Sequence, residues 1–101
     1  MNINEYMRNN RDQKSYIRMV REVKCADGFH MSVQASEYTY CTPRINDARH
    51  YSAVEIGFPS EREEMIMNYA EDANNPTGTV YGWAPVEIVD AVIAKHGGYA
   101  E

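Results

Sequence analysis

The sequence predicts an α+β domain: a small antiparallel sheet of about four strands, in the order ββ–β–α–β–α, with two helices packed on one face. Three observations predict it. Apolar and polar residues alternate with period two on both sides of Asp27-Gly28, a pair that favours a tight hairpin because both residues tolerate positive φ. A third alternating run, residues 51–58, stops at Pro59. Between Pro85 and Gly97 the apolar residues recur at the helical period instead.

Asn2 and Asn4 offer caps for a short helix over residues 5–10. Asn9 and Asn10 are poor helix formers, so a frayed segment over residues 1–14 is the favoured expectation. From Tyr16 the pattern changes: Ile17, Met19, Val23 and Cys25 share one face, interrupted by Arg21, with Tyr16, Arg18, Val20, Glu22 and Lys24 opposite. This predicts a strand over 16–25, paired with a second over 29–35 that turns Phe29, Met31, Val33 and Ala35 inward. A helix over 16–24 is the alternative, since Ile17, Val20, Arg21 and Lys24 also fit a helical stripe.

Thr42-Pro43 and Asn46-Asp47 give the connector 36–50 turn chemistry. In the strand 51–58, Val54, Ile56 and Phe58 fall on one face. Ser60 and Glu63 have capping-box spacing and open a predicted helix over 60–72, with Met65, Ile66 and Tyr69 as its buried stripe. Residues 74–78 read as a turn and 79–83 as a short strand weakened by Gly82. Pro85 suits the first position of the final helix, whose inward side chains are Val86, Val89, Val92 and Ile93. Lys95 and His96 complement the negative helix end, and Gly97 supplies a left-handed stop.

A chain of 101 residues fits one domain, 1–101, and is too short for two. The net charge of −5 is unevenly spread. Residues 1–50 carry eight Lys/Arg against six Asp/Glu, and residues 51–101 carry two against nine. The acidic half argues against direct nucleic-acid binding, which needs a basic surface, and suits a basic partner. No apolar run approaches the length of a membrane span, and the polar N-terminus lacks a secretory apolar stretch. The expected location is a cytoplasm, where Cys25 and Cys41 remain reduced thiols.

Catalytic and metal signatures are weak. Cys25, His30, Cys41 and His50 have the spacing Cys-x4-His-x10-Cys-x8-His, which matches no usual zinc pattern. Cys41, His50 and Asp47 supply the residue types of a nucleophilic triad, but a chain with fifteen acids offers such sets by chance. There is no GxxxxGK[ST] and no GxGxxG. The expectation is therefore no enzyme, no metal and no cofactor.

Two surfaces remain. In and after "VQASEYTYCTPR", Tyr38, Tyr40, Arg44, Arg49 and Tyr51 are the residue types of interface hot spots, and they also suit stacking on a base with guanidinium contact to phosphate. Alternatively, Tyr38 and Tyr40 continue a strand and cover the sheet edge, while Arg44 and Arg49 pair with acids of the C-terminal half. The second surface is the stripe Glu61, Glu64, Asn68 and Asp72 on the predicted helix. It either imitates nucleic-acid phosphates or is a solvated helix face.

Three stretches, "MSVQASEYTYCTPR", "YSAVEIGFPS" and "YAEDANNPTGTVYGWAPVEIVDAVIAKHGG", resemble a recurrent small protein of bacteriophages and prophages. The resemblance spans about residues 29–98. It implies an accessory protein of the anti-CRISPR or anti-defence type, acting in the bacterial host cytoplasm. Such a protein would bind and inhibit a defence or nucleic-acid-processing complex by protein–protein contact, with a homodimer through an exposed sheet edge left open. The competing expectation is a small-nucleotide sponge or sensor using the Tyr/Arg cluster. A Cys41/His50 enzyme ranks last.

Overall fold

The computed structural model describes residues 1–101 and is built on a four-stranded antiparallel sheet whose strands lie in chain order. They are β1 (Val23–Lys24), β2 (His30–Gln34), β3 (Ala53–Gly57) and β4 (Val80–Pro85). Two α-helices, α1 (Ile3–Asn10) and α2 (Val86–Lys95), complete the predicted α+β class. A 3-10 helix, Glu64–Tyr69, lies between β3 and β4.

The hairpin forms where the sequence placed it, with Val23 opposite Met31 and Lys24 opposite His30. Gly28 takes the left-handed φ of 97° that the turn requires. The alternation in β2 and β3 also holds: Met31, Val33, Val54 and Ile56 are fully buried. They join Ile3, Tyr6 and Met7 of α1 and Val89, Val92 and Ile93 of α2 in one core cluster. A Schellman stop ends α2, with the Gly98 amide on the Ile93 carbonyl and the Gly97 amide on that of Ala94.

Four expectations need correction. The predicted strand 16–25 shrinks to two residues, because the chain turns at 15–18, where Arg18 has φ 54° and its amide bonds the Ser15 carbonyl. Ile17 and Met19 are therefore exposed, and Val20, assigned outward, is buried. The N-terminus is an ordered helix rather than a frayed segment. Asn2 caps it through the Glu5 amide, and the Asn4 side-chain amide closes a reciprocal pair with the backbone of Tyr51.

The segment 60–72 is not an α-helix. Both capping-box residues are taken by tertiary partners: Ser60 Oγ accepts the His30 amide, and Glu63 is drawn to Lys95 and His96. Only the 3-10 helix forms, and of its predicted stripe Ile66 alone is buried while Met65 is exposed. Finally, Phe58 leaves the inward face of its strand through a left-handed φ of 49° and stands in solvent.

Neither edge of the sheet is open. Beside β1 the chain end runs alongside, with the Ala100 amide on the Lys24 carbonyl and the Ala26 amide on that of Gly98. Beside β4, Ala70 bridges Tyr81 and the Glu71 amide bonds the Val80 carbonyl. No helix is long and apolar enough to cross a membrane.

Candidate binding face

The helices and the core use one face of the sheet. The other face presents Ser32 and Gln34 from β2, Glu55 and Gly57 from β3, and Val80 from β4 as the floor of a groove of about 250 Å³. Ile17, Met19, Tyr38 and Phe58 contribute to its walls. Four aromatic rings are exposed around this face: Tyr16 is 77% exposed, Phe58 56%, Trp83 52% and Tyr38 43%.

Local backbone geometry places two of those rings. Phe58 and Trp83 both sit at left-handed φ, 49° and 51°. At Trp83 the cause is a bulge: Val54 faces Ala84 and Ile56 faces Tyr81, so β4 spends one more residue than β3 between those pairs. The extra residue throws the indole outward. Such a conformation costs a non-glycine residue about 1–3 kcal/mol, and strained positions concentrate at functional sites.

The connector docks on this bulge. The Trp83 amide donates to the Tyr40 carbonyl at 3.0 Å, and the Tyr40 amide donates to Glu55 Oε1 at 3.1 Å. The Tyr40 and Trp83 rings stack with centroids 4.9 Å apart, and the Arg44 guanidinium lies 5.4 Å from the Tyr40 centroid. Gly82 makes this possible, since a Cβ there would stand 3.3 Å from the Cβ of Tyr40. Tyr38 pairs with Tyr16 instead, centroids 5.3 Å apart. The Tyr16 hydroxyl, then desolvation and Glu37, hold the Tyr38 phenol well above its ordinary pKa.

The five connector residues thus separate. Tyr38, Tyr40 and Arg44 belong to the face. Tyr51 does not: it is 1% exposed, and its hydroxyl donates to the Ile45 carbonyl and accepts from the Ala48 amide. Arg49 lines a different cleft with Arg8 and Arg11. Neither Arg44 nor Arg49 makes the ion pair with a C-terminal acid that was the alternative; Arg18, Arg62 and Lys95 are the cationic Lys/Arg side chains that pair with carboxylates.

The acidic stripe does not run along an α-helix, and Asn68 is exposed on the 3-10 helix. Without an α-helix over 60–72, Glu64 turns to Arg62, Asp72 caps the turn at Asn74, and Glu61 lines a shallow cleft with Asp27. Cys25 and Cys41 are free and buried, and the Cys41 thiol donates to the Ser36 carbonyl at 3.2 Å rather than meeting His50. No group of three His, Cys, Asp or Glu is arranged to hold a metal ion.

Sequence reasoning missed Phe58, Trp83, Tyr16, Ile17 and Met19 as members of the face. One signal was available: an isolated glycine within a strand pattern marks a bulge or a close approach, and Gly82 is both. It also missed a polar cluster behind the hairpin turn, built on two buried side chains, Glu63 and His96, and two half-exposed ones, Asp27 and Lys95. His96 Nδ1 lies 2.6 Å from Asp27 Oδ2, its Nε2 lies 2.7 Å from Glu63 Oε1, and Lys95 Nζ reaches Glu63 Oε2 at 2.9 Å. Two carboxylates facing both ring nitrogens require both to carry hydrogen, which makes His96 an imidazolium. Burial alone would lower its pKa, but the bonds to Glu63 and Asp27 outweigh it and raise it. Both ring nitrogens are occupied, so the group is a clamp and not a general base.

Compared with known proteins, the chain matches no family model, no curated protein and no solved structure.

Proposed function

We propose that the protein is a binding protein that acts by occupying a partner's surface with the outer face of its sheet. The observation that carries this reading is the pair Phe58 and Trp83, two large aromatics held in solvent by left-handed backbone. An exposed aromatic buries a large area on contact and loses little side-chain freedom, which is why such residues dominate interface energetics. The resemblance of residues 29–98 to small phage proteins supports a partner class: a bacterial defence or nucleic-acid-processing complex, inhibited in the anti-CRISPR manner. The net charge of −5 favours a basic partner of that kind.

The test is a tagged pull-down from bacterial lysate, followed by titration of the partner it recovers. Wild type is compared with Trp83→Ala and Tyr40→Ala. The expected result is a stoichiometric protein partner whose affinity falls about 30-fold in each variant, the loss typical of an interface hot spot. A partner held equally well by both variants would remove the outer face from the account.

A second reading rests on the Arg44–Tyr40–Trp83 stack. A guanidinium beside stacked rings is a platform for a nucleobase and its phosphate. It is tested by thermal unfolding with a panel of nucleotides, since a ligand of the folded state raises the melting temperature. A flat response excludes it.

A further inference from the structure

We propose that the cleft between α1 and residues 47–49, lined by Arg8, Arg11 and Arg49, binds a small oxyanion of the phosphate class. The cleft has a volume of about 450 Å³ and lies on different elements from the outer sheet face. Three arginines line it, and none of them pairs with a carboxylate. One acid, Asp47, shares the lining, and its carboxylate is already engaged by Arg18 at 3.1 Å.

Arg11 is the residue whose guanidinium the fold holds most firmly at the cleft. Its Nε and Nη2 are buried and meet no acceptor in the protein. Both atoms are closed to solvent, so the nitrogen that Arg11 offers to a ligand is Nη1, which makes no hydrogen bond within the protein. The same guanidinium lies 5.8 Å from the centroid of Tyr51, a ring itself fixed by Ile45, Ala48 and Asn4. Its position is therefore set by the core before any ligand arrives. Arg8 is also held: one of its Nη atoms donates to the Arg49 carbonyl at 3.2 Å, which ties the two sides of the cleft together. Fixed guanidinium forks match the tetrahedral oxygens of phosphate better than flexible ammonium groups do.

Charge distribution favours a small anion over a nucleic acid. A duplex needs a basic stripe many phosphates long, whereas nine of the fifteen acids lie in the C-terminal half and would repel an extended polyanion. A compact phosphate or pyrophosphate meets the three arginines and a single acid, Asp47, whose charge Arg18 offsets.

Isothermal titration of the full chain with orthophosphate and with pyrophosphate, at constant ionic strength, decides the matter. The expected result is saturable one-to-one binding of pyrophosphate, weakened about tenfold or more in Arg11→Gln and in Arg49→Gln. Lys24→Gln, which removes a cation from β1 outside the cleft, should bind as wild type does. Because Arg11 also packs on Tyr51, its variant is checked by thermal unfolding. Arg49 is exposed, so Arg49→Gln keeps the fold and isolates the charge. No saturable heat with wild type, or undiminished binding by Arg49→Gln, overturns the proposal. Tighter binding of a short single-stranded oligonucleotide, lost in the same variants, overturns the small-anion assignment in favour of a nucleic-acid backbone.

Discussion

Phe58 and Trp83 are aromatic residues in a conformation that glycine adopts freely. Their rings add little to the core, since both are more than half exposed. Relieving the strain should therefore stabilise the fold. Phe58→Gly is expected to gain about 1 kcal/mol, because the left-handed cost vanishes and little buried area is lost. In a domain of this size that raises the melting temperature by roughly 4–8 °C. The same variant should bind the partner more weakly, the usual conflict between a strained site and a stable fold. Thermal unfolding checks the first half, and a fall in melting temperature would show that the ring is structural.

Tyr51 and Tyr40 were indistinguishable in the sequence, both tyrosines beside arginines. What separates them is Asn4, which seals the backbone of Tyr51 from 47 positions away. No local pattern carries that information.

Among the elements, strands and helices with strong periodicity were legible. The inward residues of β2, Val54 and Ile56 of β3, and the apolar stripe of α2 all fell where alternation or helical spacing put them. The 3-10 helix was not legible, because its capping residues had better partners elsewhere in the chain. Glu63 is fully occupied by Met65, Lys95 and His96, none of which a capping box includes. The outer face was half legible: Tyr38, Tyr40 and Arg44 lie in the connector that composition singled out, while Trp83 depends on a bulge.

The clamp at His96 gives the fold a defined response to pH. The raised imidazole pKa means that its contribution is complete below the ordinary value of 6.5 and is lost as pH rises through the raised one. Asp27 is held below its ordinary 3.8 by the Phe29 amide and then by His96. Glu63 is held below its ordinary 4.5: burial pushes it up, but Lys95, the Met65 amide and His96 together pull it further down. The carboxylate contributions are present above those ordinary values and lost as pH falls through the lowered ones. Stability is therefore expected to peak between about pH 5 and 6.5 and to decline on both sides. Urea unfolding across pH measures it. His96→Gln should flatten the alkaline decline and cost about 2–3 kcal/mol at the optimum, since Glu63 stays buried with one partner fewer. An alkaline limb unchanged in that variant would place the titrating group elsewhere.

At the scale of the whole molecule, the closed edges decide how the protein can meet others. With residues 98–100 beside β1 and residues 70–71 beside β4, strand addition at an edge is blocked, and so is the edge-paired dimer the sequence left open. Removing residues 98–101 should undo this on one side. It strips two backbone bonds from the β1 edge and the Tyr99 ring from its stack on Tyr6, whose centroids are 4.9 Å apart. The expected outcome is a lower melting temperature and concentration-dependent association in sedimentation velocity. A truncated chain that stays as it was would mean that the edge is protected by something other than this strand.

The anchoring of α1 reaches beyond stability. The Ile3 amide bonds Asp90 and the Asn4 side chain bonds Tyr51, so the partners lie 87 and 47 positions further along the chain. A helix of eight residues is too short to persist on its own in water. It can be ordered only once β3 and α2 are in place, and the loops that bring them together must close first. The order of this segment thus depends on distant encounters, and the topology it completes is non-local rather than that of a helical bundle.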